Sequence, residues 1–211
     1  MIIEAYNDSS FAEVLDRADL VTPDGMPLVV VLQSMYGIHQ DRVAGMDLLP
    51  ALIAKAADYS IPVFFYGSSN EVLARIVTRA IAENPKLRVV GTHSPPYRTL
   101  NHEENALVLN HINDSGAGIV FVALGCPKQE QWMSNNKSKV NAVMIGLGGA
   151  FPVYATLQSR APKWMQRYSL EWLYRLIQEP RRLLFRYLYT NSVFVILLLK
   201  YKLTKMVHKS N

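Results

Sequence analysis

A chain of 211 residues, half of them apolar, has room for one sizeable core and an appendage, and its single cysteine excludes an intrachain disulfide. No basic, apolar, small-residue leader is visible at the start, and the cysteine usage suits a reducing cytoplasm. The net charge of +5 is split: residues 1–159 carry 11 Lys/Arg against 15 Asp/Glu, residues 160–211 carry 11 against 2, so an acidic body bears a basic tail that seeks phosphates, membranes or nucleic acid.

The first predicted element is a short helix over 10–15, with Ser9 or Ser10 as cap and Glu13 near the capping-box position. Residues 20–22 form a candidate short strand, closed by the turn Pro23-Asp24-Gly25. Pro27 fits a first helical turn, so the apolar run 28–35 reads as a helix. A polar loop over 39–45 leads to Asp47, the expected cap of a helix to about residue 59.

From there the alternation is regular. Strand 62–66 closes in Gly67-Ser68-Ser69-Asn70 and is followed by an amphipathic helix over 71–83. Strand 87–91, a loop over 93–100 and helix 103–113 come next. Strand 119–124 ends at Gly125, a helix opens near Lys128, and strand 142–145 ends in Gly146-Leu147-Gly148-Gly149. Strands separated by helices of this length imply an α/β fold, a parallel sheet with helices on both faces.

At residue 160 the character changes. Trp164, Leu170, Trp172, Leu173 and Leu176 recur at helical spacings among Arg167, Glu171 and Arg175; Pro180 breaks that helix, and 181–202 restarts it. The apolar run 193–199 is far below the roughly 20 residues of a bilayer span, and 183–199 is interrupted by Arg186, Thr190 and Asn191. Flanked by Arg181, Arg182, Arg186, Lys200, Lys202 and Lys205, this segment reads as lying at an anionic membrane surface. A core helix with a solvated basic face is the plainer alternative; the density of leucines and aromatics argues against a nucleic-acid arm. The predicted division is a catalytic domain over 1–159 and a basic amphipathic helical, membrane-associating appendage over 160–211.

The motif with most chemistry is Gly125-Cys126-Pro127-Lys128-Gln129-Glu130, at a strand-to-helix corner on the carboxyl edge of the sheet. A lysine, an amide and a carboxylate at a helix N-terminus suit anions and sugar hydroxyls, although a plain turn and helix start would also explain them. Gly146-Leu147-Gly148-Gly149 fits either a pyrophosphate or close packing. There is no Walker loop and no metal-ligand spacing, and Cys126 lacks a histidine partner, so neither a metal nor a thiol nucleophile is expected. Asp24 can serve as a general base if its turn points into the crevice, or merely close the turn. Arg42 offers a planar fork for phosphate, or is an ordinary surface arginine.

Taken together, these motifs resemble the WecG/TagA/CpsF family of bacterial glycosyltransferases. The likeness runs from about residue 4 to 200. It rests on Thr22-Pro23-Asp24-Gly25, on Arg42-Val43-Ala44-Gly45-Met46-Asp47-Leu48, on Phe65-Tyr66-Gly67-Ser68 and on the Gly125–Glu130 and Gly148-Gly149-Ala150-Phe151 stretches. It continues through Arg160-Ala161-Pro162-Lys163-Trp164, Leu170-Glu171-Trp172-Leu173-Tyr174-Arg175-Leu176 and Glu179-Pro180-Arg181-Arg182-Leu183. Each motif is short; eight in order are specific as a set.

The resemblance implies a Rossmann-like fold and inverting transfer of a sugar, often N-acetylmannosamine or its uronic acid, from a UDP-sugar to an undecaprenyl-diphosphate-type lipid-linked acceptor. It implies Asp24 as the base, and substrate contacts by Thr22, Arg42, Gly45, Asp47, Gly67, Ser68, Gly125, Pro127, Lys128, Gln129, Glu130, Gly148 and Gly149. Arg160, Arg167, Arg175, Arg181 and Arg182 fall in the family's basic appendage, which is thought to dock on the membrane and close the site. No cofactor beyond the UDP-sugar substrate, no nucleic acid and a peripheral place at the inner face of the plasma membrane are expected, with self-association through uncovered apolar tail surface. Members usually begin some tens of residues earlier, with a segment that contributes to the site. The usual aspartate after Gly-Ala-Phe is Pro152 here, and the usual glycine after the next Tyr-Ala is Thr156. A non-catalytic membrane-peripheral scaffold that keeps the fold, and a nucleotide-dependent enzyme of other chemistry such as a methyltransferase, stand as alternatives.

Overall fold

The computed structural model describes residues 1–168 and 170–209, with the side chains of Arg167, Arg182 and residues 202–209 outside that description. Two compact units result: Glu13–Ser159, and Met1–Ala12 together with Arg160–Asn211.

The chain opens with α1 (Ile2–Asn7) and α2 (Ser9–Asp16). The cap of α2 is Asp8, not Ser9 or Ser10: its Oδ1 accepts from the Ser10 and Phe11 N–H groups at 2.9 and 3.4 Å and from the Ser10 hydroxyl at 2.7 Å. A carboxylate one residue earlier reaches the orphan donors of the first turn, which a serine inside the helix cannot do. Residues 20–22 form no strand; Leu20 is 81% exposed and no neighbour pairs with it in the sheet.

The sheet-bearing unit continues with α3 (Met26–Tyr36), where Pro27 stands in the first turn, and α4 (Gly45–Asp58). Ala44, not Asp47, is the N-cap of α4; Asp47 sits within its first turn, where a negative charge complements the helix dipole. Then β1 (Val63–Gly67), α5 (Asn70–Glu83), β2 (Val89–His93), α6 (His102–Asp114), β3 (Ile119–Ala123), α7 (Lys128–Asn136), β4 (Val143–Gly146) and α8 (Phe151–Tyr154) alternate as expected. Caps set the helix starts: the Ser69 hydroxyl accepts from the Val72 N–H, and Asn101 with Glu104 makes a reciprocal capping box.

All strand pairs are parallel, in the order β2-β1-β3-β4. The central strands are buried on both faces, hence their unbroken apolar runs. Side chains alternate: Val63, Phe65 and Phe121 join a core with α4, α5 and Phe151, whereas Phe64, Tyr66, Val120 and Val122 join one with α6 and Trp132. Helices therefore cover both faces, the Rossmann-like α/β arrangement. The chain runs outward in opposite directions from β1 and β3, so the switch point, where a crevice opens at the carboxyl edge, lies between those two strands.

The other unit adds α9 (Lys163–Arg167), α10 (Glu171–Gln178) and α11 (Pro180–Lys209). Within it the Asn7 Nδ2 donates to the Tyr189 hydroxyl at 3.1 Å, and Trp172 meets Tyr187 edge-on at 6.2 Å. In α10 the apolar and charged residues lie on opposite sides of the helix, whereas over the length of α11 they are not sorted to one side. Leu183–Tyr201 is one continuous helical stretch of 19 residues, long enough and on average apolar enough to cross a membrane by length and composition. Continuous helix through Arg186, Thr190 and Asn191 makes this stretch longer than the run of seven apolar residues that the sequence displays.

Candidate active site

At the end of β1, Gly67 has φ +103°, and a side chain there would collide with the Ala123 carbonyl of β3. Glycine is required because the two strands' last residues close up: the Ser68 N–H donates to the Ala123 carbonyl at 2.9 Å. Ser68 itself adopts φ +60°. Its carbonyl accepts from the Ser94 hydroxyl at 2.7 Å, which ties the loop after β2 to the loop after β1.

At the end of β3, Gly125 has φ +80° and open space beside it. The Cys126–Pro127 peptide is cis, Pro127 caps α7, and the Gln129 N–H returns to the Gly125 carbonyl at 2.8 Å. Lys128 points outward with its ammonium 5.2 Å above the Tyr97 ring, a cation–π contact with the loop after β2. Gln129 and Glu130 turn inward and are each 8% exposed. The Gln129 Nε2 donates to Glu130 Oε1 at 2.7 Å, and its Oε1 accepts from the Gly148 N–H at 3.3 Å.

That amide explains the glycines after β4. A Cβ on Gly146 would lie 3.0 Å from Gln129 Nε2, and one on Gly148 2.7 Å from Gln129 Oε1 and 3.3 Å from the Gly125 nitrogen. The two glycines leave room for one glutamine that fastens the loops after β3 and β4 together. Glu130 Oε2, in contrast, is buried without a hydrogen-bond partner. Leaving such an acceptor bare costs about 1–3 kcal/mol.

Asp24 is exposed on its turn between Thr22, which is half-buried, and Gly25. The carbonyl of Pro23, the residue before it, accepts from the Val43 N–H at 3.0 Å, so the Thr22–Gly25 turn lies against the Arg42–Gly45 segment. A Cβ on Gly45 would stand 3.3 Å from Leu147 Cδ2, which places the start of α4 against the loop after β4. Thr22, Asp24, Arg42, Gly45, Asp47, Gly67, Ser68, the residues 125–130 and the Gly148-Gly149 pair are thus linked through neighbouring segments of one unit.

Arg160, Arg175 and Arg181 belong to the other unit; the side chains of Arg167 and Arg182 lie outside the described residues. The Arg160 Nε donates to Glu171 Oε1 at 3.3 Å in a largely covered ion pair. Among the described residues no cluster of three or more His, Cys, Asp or Glu could hold a metal ion.

Sequence reading passed over Ser94 and Tyr97, both in a stretch read only as loop. Its position directly after a parallel strand was the available signal. Near them, burial and then the charge of His111 hold the His93 imidazole below its ordinary range, and burial pushes the Tyr66 phenol up to about 12. The two rings stack at 5.9 Å.

The family described as glycosyl transferase WecG/TagA/CpsF matches residues 1–208. The chain is 35% identical over 179 residues to the N-acetylglucosaminyldiphosphoundecaprenol N-acetyl-beta-D-mannosaminyltransferase of Bacillus subtilis strain 168, covering 84% of this chain and 68% of that protein. The protein of the same name from Bacillus spizizenii strain W23 is 36% identical over 180 residues, covering 85% and 68%.

Proposed function

Because the chain belongs to the WecG/TagA/CpsF family of glycosyl transferases, we propose that it is an inverting hexosyltransferase. It moves an N-acetylmannosamine-type sugar, or a related hexose or uronic acid, from a UDP-sugar to a saccharide on undecaprenyl diphosphate. The two Bacillus relatives, named for N-acetylmannosamine transfer to such a lipid, support both the sugar and the acceptor. The product feeds a cell-surface polymer such as teichoic acid.

The observation that carries the mechanism is the Pro23–Val43 hydrogen bond, which sets the turn bearing Asp24 against the segment bearing Arg42. The Asp24 carboxylate takes the proton of the acceptor hydroxyl, whose oxygen attacks the anomeric carbon from the face opposite UDP. The bond from that carbon to the diphosphate oxygen breaks as the new one forms, and configuration inverts. The electron pair leaves with UDP, and its charge is met by the Arg42 guanidinium and by backbone N–H groups at the carboxyl edge. The reading uses no cofactor beyond the UDP-sugar.

The basic residues Arg160, Arg175 and Arg181 are assigned to phosphate groups, those of the lipid surface and of the lipid diphosphate. This puts the enzyme at the cytoplasmic face of the membrane. Asp24→Asn tests the assignment of the base. Turnover should fall about 10²- to 10⁴-fold while UDP-sugar affinity, read by calorimetry, stays within about twofold; equal loss of both would remove Asp24 from that role.

A further inference from the structure

Ser94 follows β2 directly, and its hydroxyl donates to the Ser68 carbonyl at 2.7 Å. That hydroxyl is presented from a loop held at both ends. On one side His93 pairs with Tyr66 of β1. On the other, Arg98 forks onto both oxygens of Glu104, which closes the capping box with Asn101. Pro95 further restricts the backbone of Ser94 to extended conformations. The residue it holds stands at φ +60°, where a serine is strained and a fixed partner keeps it in place.

The direction of the bond decides what the next peptide group offers. β2 flanks β1 on one side and β3 on the other, so the Ser68 carbonyl points to the β2 side. The Ser68–Ser69 peptide is trans, its carbonyl and N–H point opposite ways, and the Ser69 N–H therefore faces the β3 side. That is the side of the switch point between β1 and β3. Among the described residues no acceptor takes this N–H, and Ser69 is exposed. The N–H of Ser68, one residue earlier, already donates to the Ala123 carbonyl at 2.9 Å.

From this we infer that Ser94 is a positioning residue of the donor site: its hydroxyl holds the Ser68–Ser69 peptide so that the Ser69 N–H meets a phosphate oxygen of the bound nucleoside diphosphate. Ser94 itself touches no substrate. It contributes preorganisation, because a donor fixed in advance needs no reorientation when charge develops on the leaving diphosphate. Without the hydroxyl the peptide plane rotates, and aligning its N–H weakens binding. The inference rests on the UDP-sugar reading and adds to it the residue that orients one of its backbone donors.

The full wild-type chain, carrying isotope-labelled serine, is titrated with UDP and with uridine and followed by NMR. The Ser69 amide proton should move downfield with UDP and stay in place with uridine, which has no phosphate. Other resonances moving with UDP while Ser69 stays in place, or an equal Ser69 shift with uridine, would overturn the inference and leave the UDP-sugar reading intact. A spectrum unchanged by both UDP and UDP-N-acetylmannosamine would overturn that reading as well.

Calorimetry then assigns the effect to the hydroxyl. Ser94→Ala should bind UDP about threefold to tenfold more weakly than the wild type, with a smaller Ser69 shift, and Ser94→Thr, which keeps the hydroxyl, should restore the affinity to within about twofold. Affinity unchanged in Ser94→Ala, or lost as fully in Ser94→Thr, would remove Ser94 from this role. The wild-type titration needs no variant, so the contact is decided even where Ser94→Ala folds poorly.

Discussion

Thr156 is a residue whose cost is visible in its backbone. It follows α8 at the position where a helix end turns left-handed, with φ +59°, and a β-branched side chain is strained there. Glycine is the residue this geometry favours. Thr156→Gly should therefore raise stability by about 1 kcal/mol, read as a shift of the urea midpoint; a lower midpoint would show that the threonine side chain contributes more than the strain costs. His93 makes the second residue-scale case. Its pKa is depressed by burial and by His111, so the unfolded chain takes up a proton at higher pH than the folded one. Stability contributed by the neutral ring is complete above about 6.5 and falls as pH drops below it. The melting temperature should decline between about pH 7 and pH 5, before the carboxylates titrate, and His93→Phe should flatten that slope. An equally steep slope in the variant would assign it to another group.

At the scale of elements, the sheet was legible because its strands announce themselves. Phe64-Phe65-Tyr66 and Val120-Phe121-Val122 are apolar on both faces, as only a strand buried on both sides can be. The edge strand β2 was legible in existence but not in place. Its last three residues, Gly91-Thr92-His93, include a glycine, which is weak in strand propensity, and are held by parallel pairing with Phe64, Phe65 and Tyr66. The stretch 20–22 shows the converse: its β-branched residues had propensity but no strand to pair with. The motifs at the crevice were legible as residue types, whereas the Gln129 clasp that joins two of them was not, since no local pattern tells which side chain will fill the space two glycines leave. The tight closure of β1 on β3 gives a prediction of its own. Gly67→Ala forces a side chain into the Ala123 carbonyl at a left-handed backbone and should cost about 3 kcal/mol in chemical denaturation; a loss below about 0.5 kcal/mol would mean that the strand ends separate easily.

For the whole molecule the decisive property is the contrast between an acidic body and a basic tail whose α11 carries a long stretch of leucines and aromatics. Phe185 is 78% exposed and Leu183–Tyr201 is only 6% buried, which suits a lipid environment better than water. Vesicles rich in anionic lipid should bind the protein, and replacing Arg181, Arg186 and Lys200 by glutamine should weaken that binding by about 3 kcal/mol, with comparable weakening of the wild type in high salt. Binding indifferent to lipid charge and salt would show that apolar insertion of α11, and not its basic residues, holds the protein to the surface. The tail's structure was less legible than the body's because Arg186, Thr190 and Asn191 interrupt the apolar pattern without interrupting the helix.

The most direct measurement is release of UDP from UDP-N-acetylmannosamine by the full chain, with and without N-acetylglucosamine on a lipid diphosphate. The account predicts release that depends on the acceptor and a product whose new linkage has the opposite anomeric configuration to the donor. UDP bound but never released in the presence of the acceptor would describe a scaffold that keeps the fold without the chemistry, and retained configuration would contradict direct displacement assisted by Asp24.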